Sequence, residues 1–186
     1  MSAFHKLSIK NYIQETANAV SIVFDVPENL KTNFSYKAGQ YITLKATVNG
    51  NEIRRAYSIC SAPESGELKV AIKAVEKGVF STYATSQLKV GDLIEVHEPE
   101  GKFMLEPTKS NNYLGIAAGS GITPVLSMIK AVLQQEPSSS FTLIYGNKSS
   151  DETMFKAELD ALSVSYDTRF KFDENNSNTL YYYSNN

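Results

Sequence analysis

The spacing of apolar residues changes once along the chain, and that change limits the fold more than any single residue does. From about residue 5 to 98 the spacing has period two. Val20, Ile22, Phe24 and Val26 alternate with Ser21, Val23 and Asp25; Ile42, Leu44 and Ala46 with Thr43 and Lys45; Leu68, Val70, Ile72 and Ala74 with Lys69, Ala71, Lys73 and Val75. Side chains two apart share one face of a strand, so this alternation predicts half-buried strands. Asn49-Gly50-Asn51, Pro63 to Gly66 and Gly91-Asp92 supply the turns between them. Short strands with regular turns predict an antiparallel barrel or sandwich. One helical segment, about Val79 to Leu88, interrupts the set.

After Pro99 the texture is different. Leu114-Gly115-Ile116-Ala117-Ala118 reads as a short, fully buried strand. A turn over Gly119 to Thr123 follows. Next comes a helix over Pro124 to Gln135, with Val125, Ile129 and Val132 on one face. Pro124 suits the first helical position, where a missing N–H costs nothing. Phe141 to Tyr145 is a second strand, and Glu152 to Leu162 a second helix through Phe155, Leu159 and Leu162. Strand, helix, strand, helix at these lengths predicts a parallel α/β unit. Glu100 to Asn112 would join the two parts. Asp173 to Asn186, rich in Asn and Ser and ending in Tyr181-Tyr182-Tyr183, reads as irregular.

Composition narrows the classes. The 186 residues accommodate one domain or two small ones. Eighteen basic against twenty acidic side chains give a net charge of −2, with no basic excess for nucleic acid and no acidic excess for disorder. The single cysteine, Cys60, excludes an internal disulfide and an iron–sulfur cluster held by four thiolates of this chain. With only two histidines beside it, no metal site is expected. One cysteine suits a reducing compartment, and no apolar run reaches signal-peptide or membrane-span length. The expectation is a cytoplasmic protein with no membrane partner.

Three segments have residue types suited to chemistry. In Arg55-Ala56-Tyr57-Ser58, a strand of period two sets Arg55 and Tyr57 on one side and Ala56 and Ser58 on the other. Arginine can grip a phosphate with two N–H groups, and tyrosine can stack on a flat heteroaromatic ring. Taken alone, the segment reads equally as an ordinary strand with an exposed Arg and a core Tyr. Gly78-Val79-Phe80-Ser81-Thr82 opens the isolated helix, whose first N–H groups suit an anion and where Ser81 or Thr82 offers a hydroxyl; the same pattern is also a common capped turn. Gly119-Ser120-Gly121-Ile122-Thr123-Pro124 lies between strand and helix, as a dinucleotide site requires, although Pro stands where a third Gly is usual. By itself it is also a tight strand-to-helix turn.

In this order, the R-x-Y-S strand, the G-x-x-S helix start and the G-x-G-x-x-P turn resemble the ferredoxin–NADP reductase superfamily of flavoenzymes. Pro99-Glu100-Gly101-Lys102-Phe103 resembles the segment leaving that family's flavin barrel, and Tyr145-Gly146-Asn147-Lys148 its second pyridine-nucleotide loop. The texture is closest to electron-transfer reductases of bacterial oxygenases, the phenylacetyl-CoA oxygenase type, and the resemblance covers about residues 5–172. It implies a six-stranded antiparallel Greek-key FAD-binding barrel over residues 1–105. A shortened Rossmann-like parallel α/β nucleotide domain over 106–172 and an irregular tail over 173–186 would follow. It further implies a flavin-dependent NAD(P)H oxidoreductase passing electrons to a partner such as an iron–sulfur protein or oxygenase. Arg55 would hold the FAD pyrophosphate, with Ala56 beside it. Tyr57 would stack on the isoalloxazine and Ser58 would sit at the reacting edge. Ile72, Lys73 and Ala74 would line the ribityl and adenine side through their backbone. Gly78, Val79, Phe80 and Ser81 would cap the pyrophosphate. Gly119, Ser120, Gly121, Thr123 and Pro124 would receive NADH or NADPH, with Tyr145, Gly146, Asn147 and Lys148 near its adenosine end. Lys148 and the acidic Asp151 and Glu152 pull opposite ways on a 2′-phosphate, so the choice between the two nucleotides stays open. Asp151 and Glu152 also suit the cap of the next helix.

The sequence departs from the family in its nucleotide half, which is short and lacks a later Cys-Gly-Pro segment. A truncated or frame-shifted product is therefore expected, and with it an alternative function as a flavin-binding module without turnover. A barrel for some other ligand would require all the motif matches to be accidental. A shortened domain would also leave a sheet edge near Leu114 and Phe141 open to pairing with another chain, and so to a homo-oligomer.

Overall fold

The computed structural model describes residues 3–108, 110–164 and 179–184. The first half is all antiparallel. β1 (Phe4–Thr16), β2 (Ala19–Asp25), β3 (Tyr41–Val48), β4 (Asn51–Ser58), β5 (Leu68–Lys73) and β6 (Leu93–His97) form one sheet in the order β4-β3-β6-β1-β2-β5. β6 lies between β3 and β1, which makes the path a Greek key. The sheet curls until its ends meet. Beyond β4, Ile59 bridges Val70 of β5, and the Cys60 N–H bonds the Lys69 carbonyl at 2.8 Å. Inward positions of the period-two runs, Leu7, Ile9, Val20, Ile22, Phe24, Ile42, Leu44, Val70, Ile72, Ile94 and Val96, make one apolar interior. The helix α1 (Val79–Ser86) covers this interior with Phe80 and Ala84.

β2 departs from the predicted alternation, since Ser21 and Val23 are buried as well as Val20, Ile22 and Phe24. The cause is tertiary. Ala19, Ala38, Cys60 and Ala71 of the barrel belong to the apolar cluster of the second half, so the outer wall of β2 and β5 is covered too. Small side chains there let the two halves approach closely.

In the second half, β7 (Asn112–Ala118) and β8 (Ser140–Asn147) run parallel, with Leu114 opposite Thr142 and Ile116 opposite Ile144. They are joined by α2 (Ile122–Gln135). The predicted Pro124 position shifts, because α2 begins at Ile122; Pro124 still lies in the first turn, where its missing donor breaks no intrahelical bond. The second predicted helix starts later than expected. A 3₁₀ turn at Ser150–Glu152 comes first, Phe155 takes a left-handed φ of 59°, and α3 spans Lys156–Val164. The expected helix cap by Asp151 and Glu152 is not what Glu152 does, as its carboxylate instead reaches the barrel.

Two further expectations are corrected. Leu114–Ala118 is half-buried rather than fully buried. Among the described residues only one face of the sheet is covered, so Leu114 and Ile116 point outward at 63% and 70% exposure. Within the expected irregular tail, Thr179–Ser184 (β9) is a strand antiparallel to β8, pairing Asn147 with Thr179 through Thr142 with Ser184. Consecutive tyrosines favour extended backbone, and the edge of β8 supplies the ladder partners. β8 is therefore paired on both sides, and the edges of this sheet among the described residues are β7 and β9. Residues 165–172, the end of the expected nucleotide domain, and residues 173–178 of the expected tail lie outside the described residues.

The connecting segment is fastened by one carboxylate. Glu136, after α2, is buried and accepts hydrogen bonds from the Thr108 N–H (2.6 Å), the Tyr113 hydroxyl (3.1 Å) and the Ser139 hydroxyl. Among the described residues no helix is long and apolar enough to cross a membrane, and no cluster of metal-ligating side chains occurs.

Candidate functional site

Three segments distant in sequence meet in one cleft of about 390 Å³ between the barrel and the α/β half. Its walls are Arg55, Ala56, Tyr57 and Ser58 at the end of β4; Ala71, Lys73 and Val75 along β5 and past its end; Gly78 to Ser81 at the start of α1; and Ser120, Gly121, Thr123 and Pro124 at the start of α2. Barrel closure brings β4 beside β5, and α1 follows β5 after a short turn, so the first two motifs become neighbours. Packing of α2 on the barrel brings in the third.

Tyr57 is half-buried with its ring 5.8 Å from that of Phe80 and tilted by 35°. Phe80 in turn meets Tyr83 edge-on at 6.2 Å. Burial pushes the Tyr57 hydroxyl up to about 12, opposed by the Arg55 cation, so the phenol stays neutral and the ring offers a flat apolar face. Arg55 is exposed, and among the described residues its guanidinium bonds only the Arg54 carbonyl, at 2.7 Å. No carboxylate neutralises it there, and a phosphate fits such a cation.

At the start of α1, Ser81 is occupied by the turn itself. Its hydroxyl accepts from the Val75 N–H (3.3 Å) and donates to the Gly78 carbonyl (3.2 Å). A Cβ on Gly78 would lie 2.4 Å from the Ser81 Oγ and 2.5 Å from a Val75 methyl, so glycine is what allows the turn to close. The first-turn N–H groups of α1 have no intrahelical acceptors, and the residues that carry them line the cleft. At the third motif, the Thr123 hydroxyl donates to the Ser120 carbonyl (3.0 Å). Gly119 has φ of +49°, and the hydroxyl of fully buried Tyr145 donates to its carbonyl at 2.9 Å. Tyr145 thus supports the turn from beneath. Around Gly121 an added Cβ would meet nothing within 4 Å, so the turn borders open space.

Most of the expected residues line this cleft. Ile72 is fully buried in the barrel interior and Ala74 donates its N–H to the Asn18 carbonyl at 2.7 Å, which leaves only backbone for a ligand at Ile72. Gly119, Tyr145, Gly146, Asn147 and Lys148 are not among the lining residues. The side-chain amide of Asn147 is buried, and among the described residues neither its nitrogen nor its oxygen is hydrogen-bonded. Ala71 and Val75 were missed. Both share the period-two set of Lys73, which was the signal for them; Val75 keeps that spacing although it lies past the end of β5.

An ion pair crosses the cleft's rim. Lys73 Nζ of β5 lies 2.8 Å from Glu152 Oε2 of the second half. The hydrogen bond from Lys73 holds the Glu152 carboxyl below the usual glutamate range, with Lys148 adding to the effect. Deeper, the Ser127 hydroxyl of α2 donates to the Ser61 carbonyl (2.6 Å), and Lys130 Nζ donates to the Cys60 carbonyl (3.0 Å) while pairing with Glu158 (2.6 Å).

The donor set fits a flavin dinucleotide: a cation without an acidic partner, a neutral aromatic face, a helix start and an open glycine turn. Comparison with known proteins agrees. Residues 6–105 match the oxidoreductase FAD-binding domain and residues 116–180 the oxidoreductase NAD-binding domain. The chain is 45% identical over 173 residues to a component of the 1,2-phenylacetyl-CoA epoxidase of Escherichia coli, across 92% of this chain and 49% of that protein. It is 34% identical to the ferredoxin reductase component of the 3-ketosteroid-9-alpha-monooxygenase of Rhodococcus rhodochrous, across 88% of this chain and 46% of that one. The chain thus spans about half the length of these curated relatives. Among solved structures, the FAD/NAD-binding domain of a nitric oxide dioxygenase from Vibrio cholerae superposes with a TM-score of 0.77 at 26% identity. That match covers 88% of this chain and 70% of the other. The reading as a module without turnover gains no support from these likenesses.

Proposed function

The chain belongs to the oxidoreductase FAD-binding domain family, and on that premise we propose that it is the cofactor-handling part of a flavin-dependent NAD(P)H reductase serving an electron-acceptor protein. The observation that carries the reading is the meeting of the Arg55–Ser58, Gly78–Ser81 and Ser120–Pro124 segments in one cleft. Arg55 and the first turn of α1 hold the FAD pyrophosphate, by charge and by N–H donation. Tyr57, backed by Phe80, packs on the flavin ring, and Ser58 at the end of β4 lies beside the reacting edge. Lys73 and the backbone of Ile72 and Ala74 border the remainder of the cofactor. Ser120, Gly121, Thr123 and Pro124, with Gly119 behind them, receive the nicotinamide nucleotide. Gly146, Asn147 and Lys148 meet its adenosine end, with Tyr145 holding the turn. When bound, FAD supplies the chemistry that accepts a hydride from the nicotinamide and releases electrons to the acceptor. The residues bind, orient and exclude water.

Two units underlie this reading, residues 1–105 and 106–172; the spans matched by the two domain families support a boundary near residue 105. The acceptor class, an oxygenase or an iron–sulfur component, is supported by the relatives' own descriptions as parts of an epoxidase and a monooxygenase. Self-association is a further element of the proposal, supported by the edge of β7 and the outward Leu114 and Ile116. The test is the visible spectrum of the purified protein with FAD, before and after anaerobic NADH or NADPH. Flavin uptake followed by loss of the oxidised-flavin absorption with one of the two nucleotides is expected. A protein that takes up no flavin refutes the reading.

A further inference from the structure

The fastening of α2 to the barrel has a geometry of its own. Thr123, Ser127 and Lys130 are at i, i+4 and i+7 of one helix, so they share a face. Thr123 lines the cleft, while Ser127 and Lys130 each donate to a main-chain carbonyl of the barrel. Those carbonyls belong to consecutive residues, Cys60 and Ser61, which follow one residue, Ile59, after the strand that ends in Tyr57 and Ser58. One turn of helix, about 6 Å, separates Ser127 from Thr123. Two to three extended residues, roughly 7–10 Å, separate Ser58 from the acceptor carbonyls. The two short arms join at the two hydrogen bonds.

Both ends of the joint are rigid. Ser127 is fully buried and Ser61 nearly so. The Cys60 N–H is tied to the Lys69 carbonyl (2.8 Å), and the Ser61 hydroxyl donates to the Glu67 carbonyl (2.8 Å), so the acceptor carbonyls cannot drift. The Lys130 ammonium lies between the Cys60 carbonyl and the Glu158 carboxylate of α3. Glu158 also faces Lys69 of β5 (3.9 Å), which faces Glu15 of β1 (3.8 Å). Charges thus alternate from α2 through α3 to the barrel wall. Elsewhere the halves meet through an apolar cluster that includes Ala19, Ala38, Cys60 and Ala71 of the barrel, through the Lys73–Glu152 pair at the rim and through a Gln135–Glu64 hydrogen bond. The Ser127 and Lys130 bonds are the directional ones from the α2 face that also carries Thr123.

We infer that Ser127 and Lys130 are positioning residues that set the spacing between the nucleotide-receiving turn at Ser120–Pro124 and the Tyr57–Ser58 end of β4. This rests on the reductase reading above, in which the two sites hold the two reactants. Neither side chain touches a ligand in that reading. Misplacing reactants by about an ångström costs on the order of 100-fold in rate, and binding at each separate site is unaffected.

The test uses Ser127→Ala and Lys130→Met, with Ser127→Thr and Lys130→Arg as the conservative counterparts, each reconstituted with FAD. In anaerobic rapid mixing, the two disruptive variants are expected to lower the flavin-reduction rate at saturating nucleotide by ~10- to 100-fold. FAD content and nucleotide Kd should stay within about twofold, and the conservative variants should restore most of the rate. Spin labels at exposed Lys10→Cys and Gln134→Cys, with buried Cys60 shielded, report the spacing of the halves independently of turnover. The distance distribution should broaden in the disruptive variants. An unchanged reduction rate overturns the inference, and so does an unchanged distance distribution. If no variant, wild type included, is reduced by either nucleotide, it is the reductase reading that falls, and the distance measurement still decides the role of the two residues.

Discussion

Phe80 is the side chain through which the barrel interior and the candidate flavin site depend on each other. It is 1% exposed, closes the barrel from α1 and backs the ring of Tyr57 at 5.8 Å. Truncation to alanine removes most of a buried aromatic and leaves a cavity that rigid strands cannot collapse, a loss of about 3–5 kcal/mol. With a urea m-value of about 2 kcal/mol/M, the unfolding midpoint of the flavin-free protein should fall by roughly 1.5–2.5 M. Phe80→Leu separates the two roles. It keeps most of the apolar volume and should cost only about 1–1.5 kcal/mol, yet it removes the flat backing that holds the Tyr57 ring in its tilt. Flavin affinity should then drop by more than the stability loss accounts for. The assays are urea titration followed by circular dichroism, and FAD titration followed by flavin fluorescence. A Phe80→Ala loss below about 1 kcal/mol would refute the core assignment, and Phe80→Leu binding FAD as tightly as the wild type would refute the backing role.

Other consequences are independent of Phe80. Arg55→Ala should weaken FAD by roughly 10- to 100-fold in a flavin titration, and Arg55→Lys should recover little of it, because a point charge does not reproduce two-pronged phosphate contact; full recovery by lysine would count against that geometry. Glu152 has a folded-state carboxyl below the ordinary glutamate value because of Lys73, so its contribution is complete above the unfolded value of about 4.5 and is lost as pH falls through the lower folded value. Glu152→Gln should therefore flatten that part of an acid titration of stability, and an unaltered acid limb would show that the Lys73 pair carries no linkage. Burial pushes the Cys60 thiol up to about 12 against the opposing pull of Lys69 and Lys130, so a maleimide at neutral pH should modify it only on unfolding; rapid labelling of the native protein would contradict its burial.

Much of the fold was legible because the signals are local. A strand's period of two is a property of the residues themselves, so the inward set Val20, Ile22, Phe24, Ile42, Leu44, Val70 and Ile72 could be named before any contact was known. Arg55–Ser58, Gly78–Ser81 and Ser120–Pro124 could likewise be picked out, since each pairs a residue type with a turn or element start that suits a phosphate, a ring or a dinucleotide. The failures came where a second element decides. Ser21 is buried because another part of the chain covers its face, not because of its neighbours in sequence. Leu114 and Ile116 are as apolar as any core residue, yet they face outward because no described element covers that side.

The roles of Ser81 and Tyr145 show the same limit on a finer scale. A serine at a helix start has a hydroxyl to offer, but Ser81 spends it on the Val75 and Gly78 backbone. A tyrosine in a strand end can face a ligand, but Tyr145 is buried beneath Gly119. Sequence alone established the alternating first half, the strand–turn–helix second half and the order of three candidate motifs, because backbone periodicity and turn chemistry act over a few residues. Only the tertiary structure decided that the three motifs share one cleft, that β9 pairs with β8, and that Ser127 and Lys130 tie α2 to the carbonyls beyond Ser58. Those arrangements depend on which distant surfaces meet, and hydrogen bonds to main-chain carbonyls leave no trace in the identity of the residue that accepts them.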